Sequence, residues 1–221
     1  MGGAQTLRAV IFDLWDTIVD YDVDGSRAFQ TEAARRLGRE PEAFLTEWWE
    51  GRATRETGGL RDYLLGLGAG DDVASEIVTL RHDSTRTMLV PRPGAVETLE
   101  ELRRRGLRVG LISVCSEDVP EVWPETPFAE LFDSTIFSCS VGLRKPDPAI
   151  YRLALDELGV EANEAVFVGD GANDELAGAE RVGMRAVLIT RPGEEPTWDE
   201  VRDWRGPRIA SVPEILEYLD E

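Results

Sequence analysis

The 221-residue sequence predicts an α/β protein, built as a doubly wound parallel sheet with an inserted helical cap. Short apolar runs are each followed by turn residues and then by a helical pattern, which indicates alternating strands and helices. Such alternation favours a parallel sheet with helices on both faces. A stretch near the N-terminus breaks this rhythm, because residues 22–90 show helical periodicity without a convincing strand.

Five apolar runs predict the strands of the sheet. They are residues 8–12, 107–112, 134–137, 165–168 and 186–189. The helices predicted between and after them are 94–105, 148–158, 174–182 and 213–219. Gly106 and Gly159 stand where C-terminal caps belong, and Ser211 is a suitable N-cap for the last helix. In sheets of this kind ligands bind at the carboxyl ends of the strands.

The segment 22–90 lies between the first and second predicted strands. Its helical runs are 28–37, 41–51, 60–67 and 73–89. An acidic stretch at 20–24 precedes it and the sequence Pro-Arg-Pro-Gly at 91–94 follows it, so both ends resemble hinges. We therefore expect an α/β core from residues 1–21 and 91–221, with 22–90 as a mobile cap over the site. A helical layer packed permanently on the sheet is the alternative.

The formal net charge of −19 disfavours nucleic acids and anionic membranes as partners. No apolar run approaches the roughly 18 residues of a membrane span, and the N-terminus lacks the pattern of a secretory signal. Cys115 and Cys139 give no disulfide framework, which favours a reducing cytoplasm. We expect a small anionic substrate, and the sequence leaves the oligomeric state open.

Polar residues follow the predicted strands at four points. They are Asp13 with Thr17, then Ser113, then Lys145, and finally Asp170 with Asp174. Lys145 is the only lysine of the chain, which suggests a position where arginine does not serve. Because the carboxyl ends of parallel strands meet at one edge of the sheet, we expect these residues to form one site.

The types of these residues point to phosphate chemistry. Aspartate can attack phosphorus and form an aspartyl-phosphate, which divides one difficult displacement into two easier ones. Asp13 and Asp170 suit Mg²⁺, which prefers oxygen ligands, and Asp174 lies one helical turn further on, where it could complete or orient the metal shell. Ser113 and Lys145 can hold the phosphoryl oxygens and neutralise the charge that develops during transfer.

Together these motifs resemble those of the haloacid dehalogenase superfamily, most of whose members are Mg²⁺-dependent phosphatases. The resemblance covers essentially the whole chain and includes the helical cap between the first two motifs, as in the C1-type subgroup. It implies a covalent intermediate on Asp13 and a metal bound by Asp13, Asp170 and the backbone carbonyl of Trp15. The expected catalytic residues are Asp13, Thr17, Ser113 and Lys145, the phosphate ligands Ser113, Lys145 and Gly171, and the metal ligands Asp13, Trp15, Asp170 and Asp174.

The sequence departs from this pattern at Trp15. Most phosphatases of the family carry Asp-x-Asp-Gly-Thr, whose second aspartate protonates the leaving group and later activates water. Trp15 occupies that position here, and an indole can do neither. Asp16, which replaces the glycine, is expected to point in a different direction from Trp15. Loss of a general acid typically lowers the rate by about 10²–10⁴-fold.

Three functions follow from this departure. The first is a Mg²⁺-dependent hydrolase of phosphate esters or anhydrides, slow or restricted to leaving groups that depart without a proton. The second is a 2-haloacid dehalogenase forming an ester on Asp13, since true dehalogenases also place an aromatic residue two positions after the nucleophile. Asp170 argues against it, because a metal-free enzyme has little use for two further carboxylates, Asp170 and Asp174, beside its nucleophile. The third is a non-catalytic phosphoryl-binding or interaction protein.

Several other residues are of types that often have functional roles. Asp22, Asp24 and Gly25 imitate the first motif but do not follow a buried strand, so we interpret residues 20–26 as an acidic hinge. We expect structural roles for the remaining candidates of the core and cap, and for one of the paired tryptophans. These are His82, Cys115, Cys139, and Trp48 or Trp49. The cap arginines Arg39, Arg52 and Arg55 could meet an anionic substrate, and the sequence selects none of them.

Overall fold

The computed structural model describes residues 6–191, 193 and 196–220. Its sheet has six parallel strands in the order β3-β2-β1-β4-β5-β6. The strands are β1 Ala9–Phe12, β2 Arg108–Ser113, β3 Ser134–Phe137, β4 Ala165–Gly169, β5 Arg185–Ile189 and β6 Arg208–Ile209. The predicted fold class is confirmed. Strand β6 was not predicted from the sequence, because two residues are too few to show a pattern.

Helices cover both faces of the sheet. The helices of the chain are α1 Val23–Arg36, α2 Pro41–Glu50, α3 Arg52–Glu56, α4 Leu60–Gly66, α5 Asp71–Met88, α6 Ala95–Arg104, α7 Asp118–Val122, α8 Ser138–Val141, α9 Pro148–Leu158, α10 Glu175–Val182 and α11 Glu214–Asp220. Strand β1 supplies alternate residues to two apolar cores, since Val10 and Phe12 join one and Ala9 and Ile11 the other. Helices α6 and α11 cover the first core and α9 and α10 the second.

Helices α1 to α5 have an apolar core of their own, which includes Phe29, Phe44 and Ile77. Helix α1 begins five residues earlier than the sequence predicts. The side chain of Asp22 accepts a hydrogen bond from the Gly25 N–H at 2.9 Å and caps the helix. The prediction of a hinge throughout residues 20–26 was therefore wrong, because a polar first turn had hidden the start of the helix.

Buried ion pairs join this helical segment to the rest of the protein. On α5, Arg81 Nε and Thr85 Oγ1 donate to Asp118 Oδ2 at 3.0 and 2.6 Å. On α3, Glu56 pairs with Arg144 at 2.6 Å, next to Lys145 in the chain. The segment is thus held against the carboxyl edge of the sheet. Within the described ranges, no helix is both long enough and apolar enough to cross a bilayer.

Candidate active site

Asp13 follows β1, the strand that lies between β2 and β4 in the sheet. Its backbone N–H donates to the carbonyl of Val168 at 2.8 Å, which fixes the residue at the carboxyl end of the sheet. The residue is only 5% exposed, and its Oδ1 accepts a hydrogen bond from Lys145 Nζ. A buried carboxylate is therefore presented at the sheet edge, where ligands bind in parallel sheets.

Two further buried carboxylates meet Asp13. Oxygens of Asp13, Asp170 and Glu175 lie within 4.8 Å of one another. Glu175 is fully buried, and it receives hydrogen bonds from Lys145 Nζ and, at 3.0 Å, from the Gly171 N–H. Three carboxylates surround a single ammonium group, so a further positive charge would be electrostatically favourable there.

The pKa values of the cluster reflect this crowding. Burial raises the pKa of Asp170 to about 6, and the negative charge of Asp13 adds to the effect. Burial also raises the pKa of Glu175 well above its ordinary value. Burial alone would lower the pKa of Lys145, but the charges of Asp13 and Glu175 outweigh it and raise the pKa, so the ammonium keeps its proton.

The structure does not bring Asp174 to this cluster. Asn173 and Asp174 have φ of 56° and 54°, in the left-handed region, and the regular helix starts only at Glu175. The assumption of one helical turn between Asp170 and Asp174 therefore fails. The carboxylate of Asp174 pairs instead with Arg181 at 3.1 Å, and Glu175 takes the buried position.

If this cluster holds the Mg²⁺ that the resemblance implies, Glu175→Gln should raise the Mg²⁺ concentration needed for half-maximal phosphate release by roughly 10- to 100-fold, the usual effect of losing a group that supports a metal ligand. Asp174→Asn is the matched control and should change it less than about twofold, because its carboxylate lies on Arg181. A larger shift for Asp174→Asn than for Glu175→Gln would reverse the assignment. Thermal melting of both variants checks that they fold.

The structure places the remaining predicted site residues, Thr17, Ser113 and Gly171, in different surroundings. Ser113 and Thr17 are fully buried, and neither hydroxyl has a hydrogen-bond partner among residues 6–191, 193 and 196–220. Neither lines the cavity described below. Gly171 has φ of 94°, and its N–H is taken by Glu175. A fully buried hydroxyl that does not line the cavity makes no direct contact with a ligand there, so the structure brings Lys145 to the cavity wall but not Thr17 or Ser113.

A cavity of about 210 Å³ lies between the sheet edge and the inserted helices. Asp13, Lys145 and Asp170 line it from the sheet side. Its aromatic lining residues are Trp15, Tyr21, Trp48, Trp49 and Trp198. The prediction that one of the paired tryptophans belongs to the core is confirmed, since Trp48 is 7% exposed and Trp49 is 65% exposed.

Trp198 is a residue of the site that was not predicted from the sequence. Its indole Nε1 donates to Asp170 Oδ2 at 2.6 Å, and the N–H of Ala172 donates to Oδ1 at 3.1 Å, so both oxygens of this carboxylate are oriented. Trp198 stands 28 residues after Asp170, beyond β5, in a stretch without a periodic pattern. Nothing in the sequence signals the contact.

Trp15 and Asp16 face different partners. The Trp15 ring packs edge-on against Tyr21, with centroids 5.5 Å apart. Asp16 Oδ1 accepts from the Tyr21 N–H at 3.2 Å and pairs with Arg191 at 3.3 Å and Arg92 at 3.6 Å. Burial nevertheless raises the pKa of Asp16, and the residue lines the cavity. These contacts orient Asp16 Oδ1 toward Arg92 and Arg191.

Comparison with known proteins places these features in a family. Residues 7–183 match the haloacid dehalogenase-like hydrolases. The chain is 30% identical to a glyceraldehyde 3-phosphate phosphatase of Methanopyrus kandleri, covering 96% of this chain and 98% of that protein. It is 29% identical to (S)-2-haloacid dehalogenase 4A of Burkholderia cepacia, over 88% of each chain.

A solved structure of a related protein is also similar to this chain. The crystal structure of a HAD phosphatase from Thermococcus onnurineus superposes with a TM-score of 0.70 at 25% identity, covering 96% of this chain and 98% of that one. Proteins named as phosphatases and as dehalogenases are thus both similar to this chain over most of its length. The chain belongs to the haloacid dehalogenase-like hydrolase family.

Proposed function

We propose that the protein is a Mg²⁺-dependent hydrolase of phosphate esters or anhydrides that forms an aspartyl-phosphate on Asp13. The observation that carries the proposal is the buried cluster of Asp13, Asp170 and Glu175, whose oxygens lie within 4.8 Å of one another. A metal-free dehalogenase would gain nothing from crowding two carboxylates beside its nucleophile, since they repel an anionic substrate. Relatives named as phosphatases support the same choice.

The residues fit a hard cation. All side-chain donors are carboxylate oxygens, which suit Mg²⁺ and not a soft metal. Asp13, Asp170 and the backbone carbonyl of Trp15 would hold the ion, and Glu175 would support it from the buried side. When bound, Mg²⁺ supplies positive charge between the nucleophile and the phosphoryl oxygens.

The chain's own residues provide the first chemical step. Lys145 fixes Asp13 Oδ1, so that Oδ2 is the oxygen left to attack phosphorus. An O–P bond forms to Asp13 as the bond from phosphorus to the leaving oxygen breaks, and the leaving group departs with the electron pair. Water then cleaves the aspartyl-phosphate, releasing phosphate and restoring Asp13. The ammonium of Lys145 compensates charge throughout.

Trp15 limits which substrates react. The Trp15 side chain lines the cavity at the sequence position where the resemblance implies an acid, and Asp16 is oriented toward Arg92 and Arg191. The leaving group therefore departs without a proton, which favours acyl phosphates and aryl phosphates over alkyl phosphates. We further propose that residues 22–90 act as a cap whose opening admits substrate, and that the enzyme works in the cytoplasm.

The test is a parallel assay of phosphate release from p-nitrophenyl phosphate and chloride release from 2-chloropropionate, each with Mg²⁺ and with EDTA. We expect phosphate release that EDTA abolishes, and no chloride release. Chloride release that persists in EDTA would establish the dehalogenase alternative. Binding of Mg²⁺ without turnover of p-nitrophenyl phosphate or acetyl phosphate would indicate the non-catalytic alternative.

A further inference from the structure

Among the described cavity residues, one guanidinium forms no direct ion pair with a carboxylate. Three arginines of the inserted helices line it, namely Arg52, Arg55 and Arg81. Arg52 pairs with Glu56 at 2.5 Å and Arg81 with Asp118 at 3.0 Å. No carboxylate within residues 6–191, 193 and 196–220 forms an ion pair with Arg55, and the adjacent Glu56 is engaged by Arg52 and Arg144.

Arg55 is also almost completely buried. The residue is 4% exposed, and its Nη1 donates to the Trp48 carbonyl at 2.6 Å. Its guanidinium carbon lies 3.7 Å from the centroid of the Trp48 ring, while Nε has no partner in the described part of the chain. Burial lowers the pKa of Arg55 to about 10, so the side chain remains charged at neutral pH.

A buried cation without a direct ion pair is unfavourable, and the stacking on Trp48 and the longer-range charge of Glu56 compensate only part of the desolvation, since the pKa of Arg55 is still lowered. In a chain with 43 acidic residues, such a position is unusual unless a ligand supplies the anion. The charge of the ligand group follows from the number of unpaired guanidinium groups. One unpaired guanidinium matches one negative charge, and a carboxylate fits its planar donors in a bidentate arrangement.

Arg55 and Asp13 line the same cavity, and the other residues of its wall indicate what the rest of the ligand is. Five aromatic side chains line the cavity, and flat apolar walls favour a planar group. A volume of about 210 Å³ is small, so it suits a single ring with two substituents. The phosphoryl group belongs at Asp13 and Lys145, which leaves the second substituent for Arg55.

We infer that Arg55 is a specificity-determining residue which binds a carboxylate on the leaving group, so that the substrate class is a carboxyaryl phosphate. The inference rests on the proposed function, because it assigns the phosphoryl group to Asp13. The inference distinguishes Arg55 from the other cap arginines, among which the sequence alone shows no preference. Arg39 does not line the cavity, and Arg52 is engaged by Glu56.

The test uses two non-hydrolysable ligands that differ only in charge, 4-carboxybenzylphosphonate and 4-carbamoylbenzylphosphonate. Calorimetry with the Mg²⁺-loaded protein should show the carboxylate binding roughly 10- to 100-fold more tightly, the range of a charge-assisted hydrogen-bonded pair. Arg55→Met keeps the apolar stem on Trp48 and should remove this preference. Arg55→Lys should restore part of it.

Arg61→Met is the matched control, since Arg61 pairs with Asp71 on the surface and does not line the cavity. It should keep the wild-type preference. Equal binding of the two ligands by the wild type would overturn the inference, even if Arg55→Met fails to fold. Binding of neither would overturn it too, and p-nitrophenyl phosphate turnover by the same sample would show that the proposed function stands without it.

Discussion

Asp13→Asn is expected to reduce phosphate release from p-nitrophenyl phosphate by roughly 10⁴-fold or more, the scale of losing a covalent nucleophile. An amide has the same shape as the carboxylate but does not attack phosphorus. Lys145 keeps Glu175 as a partner, so the variant should still fold. Initial rates of phosphate release, with thermal melting of the same samples, measure both points.

The control for this experiment is Asp22→Asn, in the segment that imitates the first motif. Asp22 accepts the N–H of Gly25 and caps α1, a role that asparagine also fills. We expect most of the activity to remain. An inactive Asp22→Asn beside an active Asp13→Asn would overturn the assignment of the nucleophile.

Trp15→Asp is expected to increase kcat/KM for alkyl phosphates by about 10²–10⁴-fold, because it restores a proton donor beside the leaving group. Hydrolysis of p-nitrophenyl phosphate should change much less, since nitrophenolate departs without a proton. The gain is measured as kcat/KM for an alkyl and an aryl phosphate in parallel. Trp15→Asn separates the proton from the space that removal of the indole creates.

An equal gain in Trp15→Asn would show that space, and not acid catalysis, had been missing. Asp16 provides the opposing check, because its raised pKa is the property of an acid. Its contacts with Arg92 and Arg191 favour a structural role, so Asp16→Asn should leave the ratio of alkyl to aryl phosphate hydrolysis unchanged. A selective loss for alkyl phosphates would make Asp16 the acid.

The sheet could be predicted because its signals are local. Buried parallel strands give apolar runs, and the residues that end them converge at one edge, so Asp13, Lys145 and Asp170 were found without coordinates. The two-residue strand β6 and the polar first turn of α1 carry no such signal.

The details of the site depended on backbone geometry and on distant contacts. Two residues in the left-handed conformation after Ala172 shift the start of α10. As a result Glu175, and not Asp174, lies in the buried carboxylate cluster. Trp198 reaches Asp170 from beyond β5. Arg55 stands out only after every other cavity arginine has been matched to its carboxylate. Each of these facts requires three-dimensional positions.

We propose a phosphoryl-transfer site that lacks its leaving-group acid. Its most direct test is the single-turnover rate of the Mg²⁺-loaded wild-type protein on a series of phosphates, from nitrophenyl through phenyl to alkyl esters. We expect a steep fall in rate as the leaving group becomes more basic, because the proposed site supplies it with no proton. Equal rates across the series would contradict the account and require an acid in the site.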